Sequence, residues 1–205
     1  MSLTDLLVKE GWLKTERIID AFKNIERKDF LPANIKNLAD VNEALPVGFG
    51  QTISQPLTVA FMFELLQPEK GDKILDVGSG SGWTSALLAE IVSEKGKVIA
   101  VEVVSELKEF GEENLAKYKF VEKGIVEFVL GDGSQGYKKE ALYDKILASA
   151  SGYDLPQAWK DQLKIDGRIV CPIGSSIWLF IKKSENEFEE KEYPGFVFVP
   201  LINQK

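Results

Sequence analysis

Histidine is absent from this chain, cysteine occurs once, and basic residues are outnumbered by acidic ones, 25 against 32. Without histidine there is no Ser-His or Cys-His nucleophile pair and no imidazole metal site, so any chemistry proceeds without the usual neutral-pH general base. One thiol, Cys171, excludes an internal disulfide and a thiolate zinc centre. No metal is therefore expected. The net charge of −7 argues against a broad surface for phosphate backbones, and nucleic acid is not an expected partner. Missing too is any apolar run approaching the roughly 20 residues that cross a bilayer. The stretch from Met1 to Glu10 lacks the basic start and apolar segment of a signal peptide. A globular, cytoplasmic, monomeric protein with no membrane partner is expected.

What is present is alternation. Residues 1–31 carry helical spacing (Leu3, Leu6 and Leu7, then Ile18, Ile19, Phe22 and Ile25), with Thr15 placed to cap the second segment and Pro32 to stop it. A turn-rich stretch ends in LPVGFGQ at 45–51, and a helix with Pro56 in its first turn is predicted over 55–67. From Lys73 onward short apolar runs (KILDV, KVIAVE, IVEFVL, DKILAS) alternate with helical patterns, which specifies a mostly parallel sheet. The last three apolar runs, 168–172, 177–182 and FVFVP at 196–200, lie too close together for crossover helices, so they are predicted to finish the sheet antiparallel. On that reading the charged SENEFEEKE at 184–192 is a hairpin tip or solvated loop. The fold class is α/β, a doubly wound, mostly parallel Rossmann-like sheet with antiparallel C-terminal strands. A helical extension and covering loop (1–54) precede the nucleotide-binding unit (55–205).

The stretch LDVGSGSG at 75–82 ends the first strand and opens a helix, the place where an α/β sheet binds a nucleotide. Glycines 78, 80 and 82 allow a tight turn and close approach of a ligand. A dinucleotide site wants a third small residue next; Trp83 stands there, which suits a nucleoside with an amino-acid tail rather than a pyrophosphate. Glu102 ends the second strand, where a carboxylate can take both ribose hydroxyls, with Val103 following. Asp132 ends the third strand, where it can accept from an adenine amino group beside Gly133; a bare Asp-Gly is otherwise a turn.

These motifs, joined to RKDFLP (27–32), LPVGFGQTISQP (45–56), LPQAWKDQLKIDGRIVCPIG (155–174) and FVFVPL (196–201), resemble the protein-L-isoaspartate O-methyltransferase family over nearly the whole chain. The resemblance implies a Rossmann-like methyltransferase sheet, S-adenosyl-L-methionine as cofactor, and isoaspartyl-containing proteins or peptides as substrate. It makes Ser54 the active-site serine, with the alternative that Ser54 only caps the helix through Pro56. Gln51, Thr52 and Ile53 then close the cofactor pocket. Asp76, Gly78, Ser79, Gly80 and Gly82 hold the methionine end, Glu102 the ribose, and Asp132 with Gly133 the adenine. Val197, Val199, Pro200 and Leu201 form the peptide wall beside Ser54.

The chain departs from the family pattern at Leu57, often histidine or tyrosine, and at Val197, commonly arginine, which could grip a carboxylate in bidentate fashion. A methyltransferase-like module with a lost or altered acceptor stays open on that ground. Methylation of RNA or a small molecule and NAD-dependent oxidation are weaker alternatives. For methyl transfer to a carboxylate the missing histidine costs nothing, because an acid with a pKa near 4 is already ionised at neutral pH.

Overall fold

The computed structural model describes residues 2–202. Helix α1 (Leu3–Lys9) begins in a reciprocal cap, the Ser2 hydroxyl accepting from the Asp5 amide while Asp5 accepts from that of Ser2, both at 3.1 Å. Gly11, at φ 79, lies between the two helical segments expected within 1–31. Helix α2 (Glu16–Asn24) follows, then a short 3₁₀ turn at Arg27–Phe30. Thr15 sits at the N-cap of α2 but forms no side-chain cap; its hydroxyl donates to Glu64 instead, at 2.7 Å. Glu64 also takes the amides of Lys14 and Thr15, which ties this extension to helix α3 (Pro56–Leu66).

Between α2 and α3 the chain makes a small hairpin of β1 (Leu45–Gly48) and β2 (Gln51–Ile53). The main sheet then builds from β3 (Lys73–Val77), α4 (Trp83–Val92), β4 (Lys97–Glu102), α5 (Ser105–Ala116), β5 (Val126–Leu130), β6 (Tyr143–Ala148), α6 (Gln157–Gln162), β7 (Leu163–Ile173), β8 (Ser176–Ser184) and β9 (Glu187–Pro194). Its order is β5-β4-β3-β6-β7-β8-β9, parallel from β5 through β7 and antiparallel beyond. Successive strand residues feed two cores. Ile74, Val98 and Ala100 pack with α1–α5, whereas Leu75, Ile99 and Val101 pack with Trp159 of α6. The chain leaves β3 toward β4 on one side and reaches β6 on the other, so the β3/β6 boundary is the switch point where such sheets open a crevice.

The C-terminal end differs from the sequence expectation. The seventh strand is the charged 187–194 segment, and FVFVP at 196–200 is no strand of the main sheet. Strand β9 lies at the sheet's edge with almost every side chain in solvent, so it needs no apolar alternation, and its charges protect an open edge from pairing with other chains. The apolar 196–200 run spends its side chains elsewhere. Phe196 stacks on Phe61 of α3 (5.4 Å between centroids), and Val199 and Leu201 clasp the backbone of Ser151 through two 2.8 Å hydrogen bonds.

Candidate active site

A cleft with about 750 Å³ of empty space, part of it open solvent, lies over the carboxyl ends of β3, β4 and β6, where sheets of this kind bind their ligands. Its floor is the glycine loop, where Gly78, Gly80 and Gly82 hold φ values of 72°, 53° and 89°, a conformation that side-chain-bearing residues resist. A methyl group at Gly82 would come within 2.4 Å of Leu115, so this glycine serves the packing of α4 against α5 and does not reach the cleft.

Glu102 is buried on the cleft wall, and its carboxylate accepts from Gly80 N (2.8 Å) through one oxygen and from Val103 N (2.8 Å) and Val104 N (3.0 Å) through the other. These bonds brace the glycine loop against the end of β4. Asp76 lies fully buried beneath the loop, its Oδ2 accepting from the hydroxyls of Ser85 (2.6 Å) and Thr84 (2.8 Å) while Oδ1 has no partner. Burial raises its pKa to about 6, against the opposing pull of those two hydroxyls. Ser79 Oγ and Trp83 Nε1 are likewise buried without partners, so three unspent polar atoms surround the loop. Asp132 does not line the cleft. It caps the turn Gly133–Gln135 by accepting from Ser134 N at 2.9 Å, and Gly133 alone of that pair reaches the wall.

Gln51, Thr52, Ile53 and Ser54 cover the opposite side. The cap of α3 is Gln55, not Ser54, and the Ser54 hydroxyl bonds to no described residue, so the structure removes the helix-cap reading. Its carbonyl accepts from Arg27, whose guanidinium also donates to the carbonyls of Ala39, Val41 and Glu43 and lies over the Trp83 ring. Val199, Pro200 and Leu201 close the mouth. Val197 stands 91% exposed outside it, and lines a neighbouring groove with Gln55, Thr58 and Phe198. Among the described residues no cluster of three acidic or thiol side chains is arranged for a metal.

A model of the protein-L-isoaspartate(D-aspartate) O-methyltransferase family matches residues 1–205. The chain belongs to this family. It is 39% identical over 207 residues to a protein-L-isoaspartate O-methyltransferase of Methanopyrus kandleri, covering 99% of this chain and 91% of that relative. It is 43% identical over 190 residues to protein-L-isoaspartate O-methyltransferase 2 of Archaeoglobus fulgidus, covering 91% and 85%. The fold is shared with a Plasmodium falciparum protein solved with S-adenosyl-L-homocysteine and described as a putative protein-L-isoaspartate O-methyltransferase, at TM-score 0.88 and 21% identity over 98% of this chain and 97% of that one.

Sequence reasoning passed over several wall residues of this methyltransferase: Trp83 as a lining group, Val104, Leu107, and above all Ser149 and Ala150. Ser149 ends the run DKILAS, the fourth parallel strand, so the carboxyl-edge rule that singled out Gly78, Glu102 and Asp132 would have found it.

Proposed function

We propose that the chain transfers a methyl group from S-adenosyl-L-methionine to the free carboxylate of L-isoaspartyl, and also D-aspartyl, residues in damaged proteins, starting their repair. The observation that carries this reading is the Ser54 hydroxyl, unspent on any cap and placed on the cleft wall facing the glycine loop. The donor set suits the cofactor. The lone pairs left on Glu102 serve a ribose, the unpartnered Asp76 Oδ1 suits an ammonium, and Gly78–Gly80 leaves backbone open to the amino-acid end. Gly133 flanks the adenine side, with Asp132 holding its turn. When bound, the cofactor supplies an electrophilic sulfonium methyl group.

The residues themselves bind, orient and exclude water. The acceptor carboxylate arrives ionised, so the site needs no base, and alignment is the contribution asked of it; positioning is worth roughly 7 to 11 kcal/mol in well-oriented reactions. Ser54 donates to one carboxylate oxygen and leaves the other free to attack. Gln51, Thr52 and Ile53 shut out solvent from above, and Val197 with Val199–Leu201 forms the peptide wall. Arg27 fixes the Ser54 backbone. The protein works as a cytoplasmic monomer on isoaspartyl-containing proteins; among the described residues no helix is long and apolar enough to cross a membrane. Incubation with labelled S-adenosyl-L-methionine and an L-isoaspartyl peptide tests the proposal. It predicts one base-labile methyl ester per isoaspartyl site, and binding of cofactor without any transfer would favour the altered-acceptor alternative.

A further inference from the structure

We infer that Ser149 is a second hydroxyl donor to the acceptor carboxylate, facing Ser54 across the point where methyl donor and acceptor meet; the inference rests on the function proposed above. The cofactor cleft and the groove beside Val197 share four lining residues, Thr52, Ser54, Ser149 and Val199. With the donor in the cofactor cleft and the acceptor peptide in the groove beside Val197, as the proposed function has it, the reacting atoms meet where the two cavities join. Three of the four residues there carry hydroxyls, and none of the three hydroxyls is bonded to a described residue.

Thr52 and Ser54 lie on one wall, two residues apart in or next to β2. Ser149 comes from the opposite wall. It follows β6 directly, beside the central strand, where its amide donates to Val77 O at 2.9 Å and fixes its backbone. A carboxylate offers about four lone-pair sites, two on each oxygen, so donors on facing walls hold its plane where one serine leaves it free to rotate. No lysine, arginine or other cation lines either cavity among the described residues. Neutral hydroxyls are thus the donors available at the junction, and Val197 supplies none. Holding the carboxylate by uncharged groups also leaves more of its charge on the attacking oxygen than an ion pair would.

The test compares Ser149→Ala and Ser149→Thr with the parent in four readouts: melting temperature, affinity for S-adenosyl-L-homocysteine, peptide affinity of the protein loaded with that product, and kcat/KM on an L-isoaspartyl peptide. The alanine variant is expected to lose about ten- to a hundredfold in peptide affinity and kcat/KM, the scale of a hydrogen bond to a charged group. Its melting temperature and product affinity stay unchanged. The threonine variant keeps the hydroxyl on a strand-end position that accepts β-branching, and recovers most of the loss. Unchanged peptide affinity in the alanine variant overturns the inference, as does a matching fall in product affinity, which would assign the hydroxyl to the cofactor. Absence of transfer by the parent protein is a different result: it overturns the proposed function and this inference with it.

Discussion

Arg27 donates to the carbonyl of Ser54 at 3.2 Å while its guanidinium carbon lies 5.3 Å from the centroid of the Trp83 ring, so one buried side chain holds the serine's backbone and one wall of the cleft together. The same fork reaches Ala39 O (3.1 Å), Val41 O (3.0 Å) and Glu43 O (2.8 Å), pinning the irregular segment that leads into β1. Burial pushes its pKa down to about 10, which leaves it charged at neutral pH. Arg27→Ala abandons four carbonyls, and with each unsatisfied group costing about 1 to 3 kcal/mol and water offsetting part, a loss of at least about 3 kcal/mol is expected in urea melts. Arg27→Lys retains some donors but not the planar fork, and falls between. A loss under about 1 kcal/mol for the alanine variant would show that the fork contributes little to the fold.

Ser54 separates stability from turnover. Because Gln55 occupies the cap of α3 and the Ser54 hydroxyl bonds to nothing described, Ser54→Ala should change stability by less than about 0.5 kcal/mol. Its methylation rate at saturating cofactor should fall roughly ten- to a hundredfold, the worth of a hydrogen bond to charge. Ser54→Asn, neutral and able to donate, keeps part of the rate; Ser54→Asp sets a second negative charge against the acceptor and stays slow. Parental turnover in the aspartate variant would remove Ser54 from carboxylate binding.

Asp76 makes a pH prediction of definite sign. Its folded pKa, raised by burial to about 6, exceeds the ordinary 3.8, so the unfolded chain releases this proton first. The group therefore costs no stability below about pH 4 and costs progressively more as pH rises, reaching its full cost above about pH 6. Asp76→Asn keeps the shape and an acceptor for Ser85 and Thr84 but cannot ionise. Between pH 4 and pH 7.5 the stability difference should move in favour of the asparagine variant by up to about 3 kcal/mol, two pKa units at 1.36 kcal/mol each. Chemical denaturation across that range measures it, and a pH-independent difference would mean that Asp76 titrates normally in the folded protein.

The parts of this fold written in apolar periodicity were legible. The runs at 73–77 and 97–102 are strands with the same bounds as predicted, because central parallel strands are buried on both faces. Strand β9 was not, since an edge strand in solvent carries no apolar signature; the neighbouring FVFVP run carried one and spends it on Phe61 and the cleft instead. At the site, position placed Gly78, Gly80 and Glu102 on the cleft, but it did not tell a ligand-facing residue from one that serves packing or a turn, as Gly82 and Asp132 do. The partners of Arg27 were not legible, because a fork that gathers carbonyls from residues 39, 41, 43 and 54 leaves no spacing rule in the chain. Ser149 was within reach of the same carboxyl-edge rule, since it stands at the end of the fourth parallel strand, but it has neither charge nor glycine turn to draw attention, and the groove that shares it is what marks it.

The central claim is that this cleft methylates a misplaced backbone carboxylate, and paired peptides that differ at one linkage test it most directly. Initial rates of labelled-methyl incorporation are to be compared for an L-isoaspartyl peptide and its normal L-aspartyl twin at saturating S-adenosyl-L-methionine. The account predicts incorporation into the isoaspartyl peptide alone, as a base-labile ester. Equal labelling of the twins, or none of either while S-adenosyl-L-homocysteine still binds, would contradict it.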